Sequence, residues 1–312
     1  MMLENAHLFD NLKACHVENI NLNEALAAAN RELARLNQAK SDFIKIAFHE
    51  LWTPLTHARG YSEMLSEMSE DGSLTSDMAK QMSAGISRAT RRLEEIVDTM
   101  FIISLIDTQT LALNPSETSM AMIVSATVHA WDTALKQRNQ TLTMEGVADL
   151  PPITVDAKQL QRVFSHLVQN AIKYTPDGGQ VRITARLMAE RISPQDQSVE
   201  IVVADTGIGI ASEELERIFE KFYRVGDTLL HSTGKIKFKG AGPGLGLPIA
   251  RGIVEAHGGH LWAESPGHDE RICPGSQFHM VLPAQPRYLE TAGSAAFIPA
   301  VRASTDAARR IA

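Results

Sequence analysis

The stretch Gln161-Arg162-Val163-Phe164-Ser165-His166-Leu167-Val168-Gln169-Asn170-Ala171-Ile172-Lys173-Tyr174-Thr175-Pro176 decides how the second half of this sequence folds. With Leu160 just before it, its apolar positions Val163, Phe164, Leu167 and Ala171 fall on one side at helical spacing, which predicts a helix with one buried face. Asp156 stands where an N-cap is expected. Arg162, His166 and Asn170 fall at i, i+4 and i+8 on the opposite stripe, with Lys173 about one turn beyond Asn170. An asparagine oxygen is a hard, neutral ligand for Mg2+, and a lysine beside it supplies point charge for phosphate. A solvated polar stripe is the plainer use of the same pattern.

Working outward, Val181, Ile183, Ala185 and Leu187 alternate with Arg182, Thr184 and Arg186, the pattern of a half-buried strand. Val199–Ala204, Leu261–Ala263 and the alternating Phe278, Met280 and Leu282 read as further strands. On the N-terminal side, a helix over Ala121–Arg138 precedes an extended stretch, and Pro151-Pro152 leads into a strand at Ile153–Val155. Helices and strands interleaved in this way predict an α/β sandwich over residues 114–284. Residues 285–312 contain Pro286 and Pro299 without a sustained period and read as a tail that orders only when something docks it.

The upstream part is helical throughout. Leu22, Leu26, Ala29, Leu33 and Leu36, followed after Lys40 by Phe43 and Ala47, alternate spacings of four and three. That is a heptad seam, so residues 15–47 read as a helix that pairs with a copy of itself, with a surface helix packed on its own domain as the alternative. Residues 2–10 look like the exit helix of a domain outside this sequence. The helical pattern runs to about Glu70, breaks at Ser69-Glu-Asp-Gly-Ser73, and resumes from Met78 through Met82, Ile86, Ala89, Leu93 and Ile96 to Ile103. Two long helices joined by a short turn form a hairpin, and dimerisation into a four-helix bundle buries the faces a lone hairpin leaves open. The expected class is α+β: a coiled-coil helix over 1–40, a dimerising helical hairpin over 41–113, the sandwich over 114–284 and the tail over 285–312.

Composition narrows the function. Of 312 residues, 44% are hydrophobic and 21% charged, enough apolar side chain to exclude wholesale disorder. With 30 Lys+Arg against 37 Asp+Glu the net charge is −7, which provides no field for nucleic acid or an anionic membrane. The longest stretch free of Asp, Glu, Lys and Arg, Thr118–Trp131, falls short of the ~20 apolar residues that span a bilayer, so no membrane insertion is expected. The N-terminus lacks a signal-peptide pattern, and the only cysteines, Cys15 and Cys273, are too distant to suggest a disulfide framework. A cytoplasmic location is expected.

Four further segments carry chemistry. In Phe48-His49-Glu50-Leu51-Trp52-Thr53-Pro54-Leu55, helical geometry turns His49 away from the seam residues Ala47 and Leu51, with Thr53 one turn on along the same face. A neutral imidazole nitrogen is a good nucleophile, and the adjacent Glu50 can hold its other N–H. Thr53 occupies the place of the second histidine in H-E-x-x-H, which excludes a zinc protease. Pro54 should kink the helix just past His49. In Val202-Val203-Ala204-Asp205-Thr206-Gly207-Ile208-Gly209, a strand delivers a carboxylate that can accept from the exocyclic amine of adenine, beside glycines that let the backbone approach closely. Gly240-Ala241-Gly242-Pro243-Gly244-Leu245-Gly246-Leu247 runs into a helix over Pro248–His257, the arrangement of a phosphate cradle. Neither glycine run has Walker or Rossmann spacing, and each alone is also compatible with a plain turn. Between them, Ile218-Phe219-Glu220-Lys221-Phe222-Tyr223-Arg224 precedes a Gly-, Ser- and Lys-containing stretch suited to a lid.

In this order the segments resemble the catalytic core of sensor histidine kinases of the two-component type, over about residues 40–284. Phe48–Leu55 is similar to that family's phosphoacceptor box, His166–Pro176 to its asparagine box, Asp205–Gly209 and Gly240–Leu247 to its two glycine boxes, and Ile218–Arg224 to its aromatic box. The resemblance implies a dimerising hairpin followed by a sandwich shared with gyrase-type ATPases. It implies ATP and Mg2+ as ligands, autophosphorylation of His49 with Glu50 as acid/base partner, and Thr53 positioning water when a partner is dephosphorylated. Asn170 would hold Mg2+, His166, Lys173, Tyr174 and Phe222 would contact the nucleotide, and Asp205 would bind the adenine amine. Gly207, Gly209, Gly242, Gly244, Leu245 and Gly246 would shape the pocket and its lid. The implied partners are a second copy and the receiver domain of a separate response regulator. A nucleotide-binding scaffold without turnover and a response-regulator phosphatase are the alternatives. Three residues depart from the family pattern: Trp52 in place of the usual Arg, Phe48 in place of a small polar residue, and His166 in place of the commoner Asn, where related ATPases carry a water-activating Glu.

Overall fold

The computed structural model describes residues 2–189, 197–221, 223, 238 and 244–284. Two compact units part between Thr90 and Arg91.

The first unit is built on α1 (Met2–Glu70), one helix that continues through Pro54, whose ring is buried. Within this single chain the seam residues Leu22, Leu26 and Leu33 are 67%, 58% and 57% exposed. After Glu70, Gly72 adopts a positive φ of 74° and Asp71 Oδ1 accepts the Ser73 N–H at 2.8 Å, which closes the turn expected from the Ser69–Ser73 break. The next helix, α2 (Ser76–Asp107), begins where Thr75 Oγ1 accepts the Met78 N–H. Met82, Gly85 and Ala89 of α2 are buried, and a Cβ on Gly85 would lie 2.5 Å from the Tyr61 ring, so glycine there lets α1 and α2 approach.

The second unit is the α/β sandwich together with the end of α2. Its elements are β1 (Ser116–Thr118), α3 (Met120–Gln137), β2 (Thr141–Glu145), β3 (Ile153–Val155), α4 (Ala157–Tyr174), β4 (Gln180–Ala189), β5 (Gln197–Asp205), α5 (Gly246–Ala256), β6 (His260–Glu264) and β7 (Ser276–Pro283). The five-stranded sheet runs β2-β4-β5-β7-β6, with β2 parallel to β4 and the other pairs antiparallel. β1 and β3 form a separate antiparallel pair. Val181 and Ile183 of β4 and Val199, Ile201 and Val203 of β5 are buried on one face of the sheet. α4, at the centre of the helical layer, packs against α3, α5 and β5, and its Leu160, Val163, Phe164 and Leu167 are completely buried. Alternation in the strands and the 3.6-residue period in α4 thus meet in one core. From α2, Ile96, Ile102 and Ile103 are buried, Ile106 packs where Gly252 of α5 has no side chain, and Asp107 pairs with Lys221.

Candidate functional site

The site is organised by α4, which is held at both ends. Asp156 caps its start by accepting the Gln159 N–H at 3.0 Å, and its other oxygen accepts the Asn114 N–H at 3.0 Å. Behind this cap lies buried His257, whose Nε2 accepts the Asp156 N–H at 3.0 Å while Nδ1 donates to the Ile253 carbonyl at 2.8 Å. This network assigns the neutral Nδ1–H tautomer, in keeping with burial that holds the His257 pKa below the usual histidine range. At the other end, the Arg138 guanidinium donates to the Thr175 carbonyl at 3.0 Å. Gln140 Nε2 donates to the same oxygen at 2.7 Å and to that of Ile172 at 3.1 Å, so two carbonyls at the end of the helix find partners. Nothing periodic in the sequence marks Arg138, Gln140 or His257, because each meets its end of the helix from far along the chain, Arg138 from 37 positions away and His257 from 101.

Between these anchors, α4 meets both glycine segments. The Tyr174 carbonyl accepts the Ile208 N–H at 3.1 Å, and a Cβ on Gly207 would lie 2.5 Å from that carbonyl and 2.6 Å from Asp205 Oδ1, so only glycine fits there. Asp205 is 9% exposed, and its Oδ1 accepts the Gly207 N–H at 2.8 Å. Burial pushes its carboxyl up to about 6, against the lowering effect of the Gly207 and Ser276 N–H groups. Gly209 has a φ of 72° and lies against the Gly267 carbonyl, where a Cβ would sit 1.9 Å away.

Of the second glycine run the described part is Gly244, at a φ of 69°, buried Leu245, and Gly246, which opens α5. The imidazole of His166 packs on Gly246, with Nδ1 3.1 Å from where a Cβ would be. His166 is half-buried, and burial first, then the Arg162 guanidinium, pushes its pKa down to about 4. Asn170, also half-buried, lies one turn from His166 and one turn from Tyr174, steps of about 6 Å along the axis. It therefore stands on α4 between the contacts with the two glycine segments. Lys173 Nζ lies 4.8 Å from the centre of the Tyr174 ring. Phe222 and Gly242 lie outside the described residues. Among the described residues no three His, Cys, Asp or Glu side chains gather to hold a metal by themselves, so a metal here must take most of its ligands from a bound molecule and water. A buried carboxylate, glycines with no room for side chains and an amide–lysine pair on one helix suit a purine nucleotide with its metal.

In the first unit His49 is exposed on α1, with Glu50 half-buried beside it. The Thr53 hydroxyl donates to the His49 carbonyl at 3.0 Å, on the turn that Pro54 leaves one N–H short. Phe48 and Trp52, on either side of His49 in the sequence, are 68% and 69% exposed. An accessible imidazole on a continuous helix is suited to act as a nucleophile towards a phosphoryl group.

Comparison with known proteins gives two domain matches. Residues 39–109 match the His Kinase A (phospho-acceptor) domain, and residues 155–286 match the histidine kinase-, DNA gyrase B- and HSP90-like ATPase domain. The chain is 28% identical over 238 residues to the sensor histidine kinase WalK of Bacillus subtilis (strain 168), covering 75% of this chain and 36% of that protein. It is 32% identical over 266 residues to the sensor protein DivL of Caulobacter vibrioides, covering 84% and 30%. With the adaptive-response sensory kinase SasA of Synechococcus sp. (strain JA-3-3Ab) it shares 27% identity over 267 residues, 85% of this chain and 65% of that one. The chain thus spans less than two thirds of the length of these relatives. Among solved structures, full-length ShkA in complex with AMPPNP has the same fold, with a TM-score of 0.52, 20% identity, and coverage of 78% of this chain and 45% of that one. With a phosphoacceptor hairpin and a gyrase-type ATPase domain in one polypeptide, and sensor kinases as its relatives, the chain belongs to the sensor histidine kinases of two-component systems.

Proposed function

We propose that this chain is an ATP-dependent protein histidine autokinase that phosphorylates His49 and passes the phosphoryl group to an aspartate on the receiver domain of a separate response regulator. The observation that carries this reading is α4 itself: its contacts bracket Asn170 between Gly246 and Gly207, beside buried Asp205, in a chain whose phosphoacceptor match contains the exposed His49. Asp205 accepts from the adenine amine, Gly207 and Gly209 let the backbone reach the ring, and Lys173 offers positive charge to the phosphates. Mg2+ held by Asn170 with the nucleotide would neutralise phosphate charge. The lone pair of a His49 ring nitrogen attacks the γ-phosphorus, a P–N bond forms, the bond to the β–γ bridging oxygen breaks, and ADP leaves. Glu50, next to the imidazole in sequence, takes up the ring proton.

The exposed Leu22, Leu26 and Leu33 support a parallel coiled coil between two copies, continuous with dimerisation of the hairpin. No described helix is long and apolar enough to cross a membrane, which accords with the proposed cytoplasmic site of action. The test is incubation with Mg2+ and γ-labelled ATP. An acid-labile, alkali-stable label that is absent in His49→Ala is the expected result. Bound ATP without label would overturn the autokinase reading in favour of a scaffold or phosphatase.

A further inference from the structure

We propose that Ser265 is a positioning residue that fixes the Asp205 carboxylate for the adenine amine, and so sets the preference of the site for adenine over guanine nucleotides. This rests on the nucleotide site proposed above and specifies how its base selectivity is built. Ser265 directly follows β6, and the connection it opens ends at Gly275, just before β7. That connection lies along the Asp205–Ile210 segment: the Asp269 N–H donates to the Ile208 carbonyl at 2.8 Å, and the Gly275 N–H to the Gly207 carbonyl at 2.9 Å. Gly275, at a φ of 81°, approaches so closely that a Cβ would lie 2.3 Å from the Asp205 carbonyl.

The half-buried Ser265 hydroxyl ties the two segments together. It accepts the Ile210 N–H at 3.0 Å. It has one proton to give, and of the two carbonyls in reach Gly275, at 2.7 Å, is nearer than Gly267, at 3.0 Å. One side chain therefore holds Ile210, at one end of the first glycine segment, and Gly275, which bonds Gly207 and abuts Asp205 at the other. Between them, a Cβ on Gly209 would sit 3.0 Å from Ser265 Oγ. The Asp205 carboxylate accepts the Gly207 N–H at 2.8 Å and also the N–H of Ser276, next to Gly275. Its aim thus follows from backbone that Ser265 pins, and a recognition contact needs its group held to within about 0.5 Å. Adenine presents an amine donor where guanine presents an acceptor oxygen, so a carboxylate fixed there favours adenine and repels guanine.

The experiment measures binding of a non-hydrolysable ATP analogue, and its displacement by the matching GTP analogue, to the purified full chain in wild type and in Ser265→Ala. A thermal midpoint matching wild type establishes that the variant is folded. Should it fail to fold, Ser265→Cys, of similar size but a weaker hydrogen-bonding group, takes its place. The variant should bind the ATP analogue about 5-fold more weakly with little change for the GTP analogue, so the adenine preference falls with it. The Gly207 and Ser276 N–H groups hold the Asp205 carboxyl down against the effect of burial, so loosening them raises it. The loss of ATP-analogue affinity on acidification should therefore begin at a higher pH in the variant. A wild type without adenine preference, an equal loss for both analogues, no loss for either, or an unmoved pH profile overturns this inference while leaving the nucleotide site standing. Failure of the ATP analogue to bind wild type overturns the nucleotide site and this inference with it.

Discussion

α1 and α4 are both patterned helices, yet they dispose of their apolar residues in opposite ways. In α4, Leu160, Val163, Phe164 and Leu167 are completely buried by the sheet and the neighbouring helices of the same chain. In α1, Leu22, Leu26 and Leu33 stay more than half exposed. The period of the apolar residues accounts for the difference. A 3.6-residue stripe suits a surface that its own domain supplies, whereas a strict heptad suits a second helix wound alongside, which we propose comes from another copy. The contrast matches the proposed division of work: α4 is the spine of the proposed nucleotide site, and α1 carries the proposed phosphoacceptor, the exposed His49.

The largest expected effect tests this contrast directly. Phe164→Ala should cost the second unit about 3–5 kcal/mol, because it opens a cavity in a closed core, as read by urea unfolding. Leu33→Ser should move that transition by no more than about 0.5 kcal/mol while shifting the chain from dimer to monomer in light scattering. Equal destabilisation by both would erase the distinction between the helices.

A second test separates binding from folding within the α4 region. Asp205→Asn, which keeps an oxygen to accept the Gly207 N–H, should weaken binding of an ATP analogue by at least ~10-fold in calorimetry and leave the thermal midpoint nearly unchanged. In wild type the Asp205 carboxyl, pushed up to about 6, is a charged acceptor above that pH. It is protonated as the pH falls through about 6, so nucleotide affinity should drop below pH 6, and this part of the pH dependence should vanish in Asp205→Asn. An affinity that stays flat between pH 7.5 and 5 would remove Asp205 from the adenine contact.

The smallest effect concerns the cap behind α4. The folded-state pKa of His257 is lowered by burial, so the unfolded chain takes up a proton first as the pH falls below the ordinary histidine value of about 6.5. Its stabilising contribution is complete above that pH and is lost progressively down to its lower folded-state value. His257→Phe should flatten this slope in thermal melts between pH 7.5 and 5. It should also cost about 1–3 kcal/mol at neutral pH, because the Asp156 N–H loses its acceptor. An unchanged slope would assign the pH dependence to other groups.

Much of this architecture is legible in the sequence. The inward face of α4, its Asp156 cap, the alternating strands β4, β5 and β7, and the turn at Gly72 all follow from spacing and local chemistry. The three-residue β1 is not legible, because so short an edge strand has no period to read. The sequence also leaves open with which unit each half of α2 packs. Its apolar period runs unbroken from Met82 to Ile103, and only packing puts Ile102, Ile103 and Ile106 with the sandwich. At the site, the glycines stand out in the sequence, but the reason Gly207 must be glycine, the approach of the Tyr174 carbonyl, does not.

The sequence by itself determined the elements and the candidate groups of the proposed site: His49 on a heptad-patterned helix, the Asn170–Lys173 stripe, and Asp205 at the end of a strand. These depend on local periodicity and residue chemistry, which a linear chain displays in full. Only the tertiary structure decided that Arg138, Gln140 and His257 hold α4 at its ends, that His166 lies against Gly246, and that burial lifts the Asp205 carboxyl towards 6. Each depends on groups far apart in the chain meeting at hydrogen-bonding distance or sharing a region shielded from water. Desolvation and close approach are properties of a packed neighbourhood, and they exist only once the chain has folded.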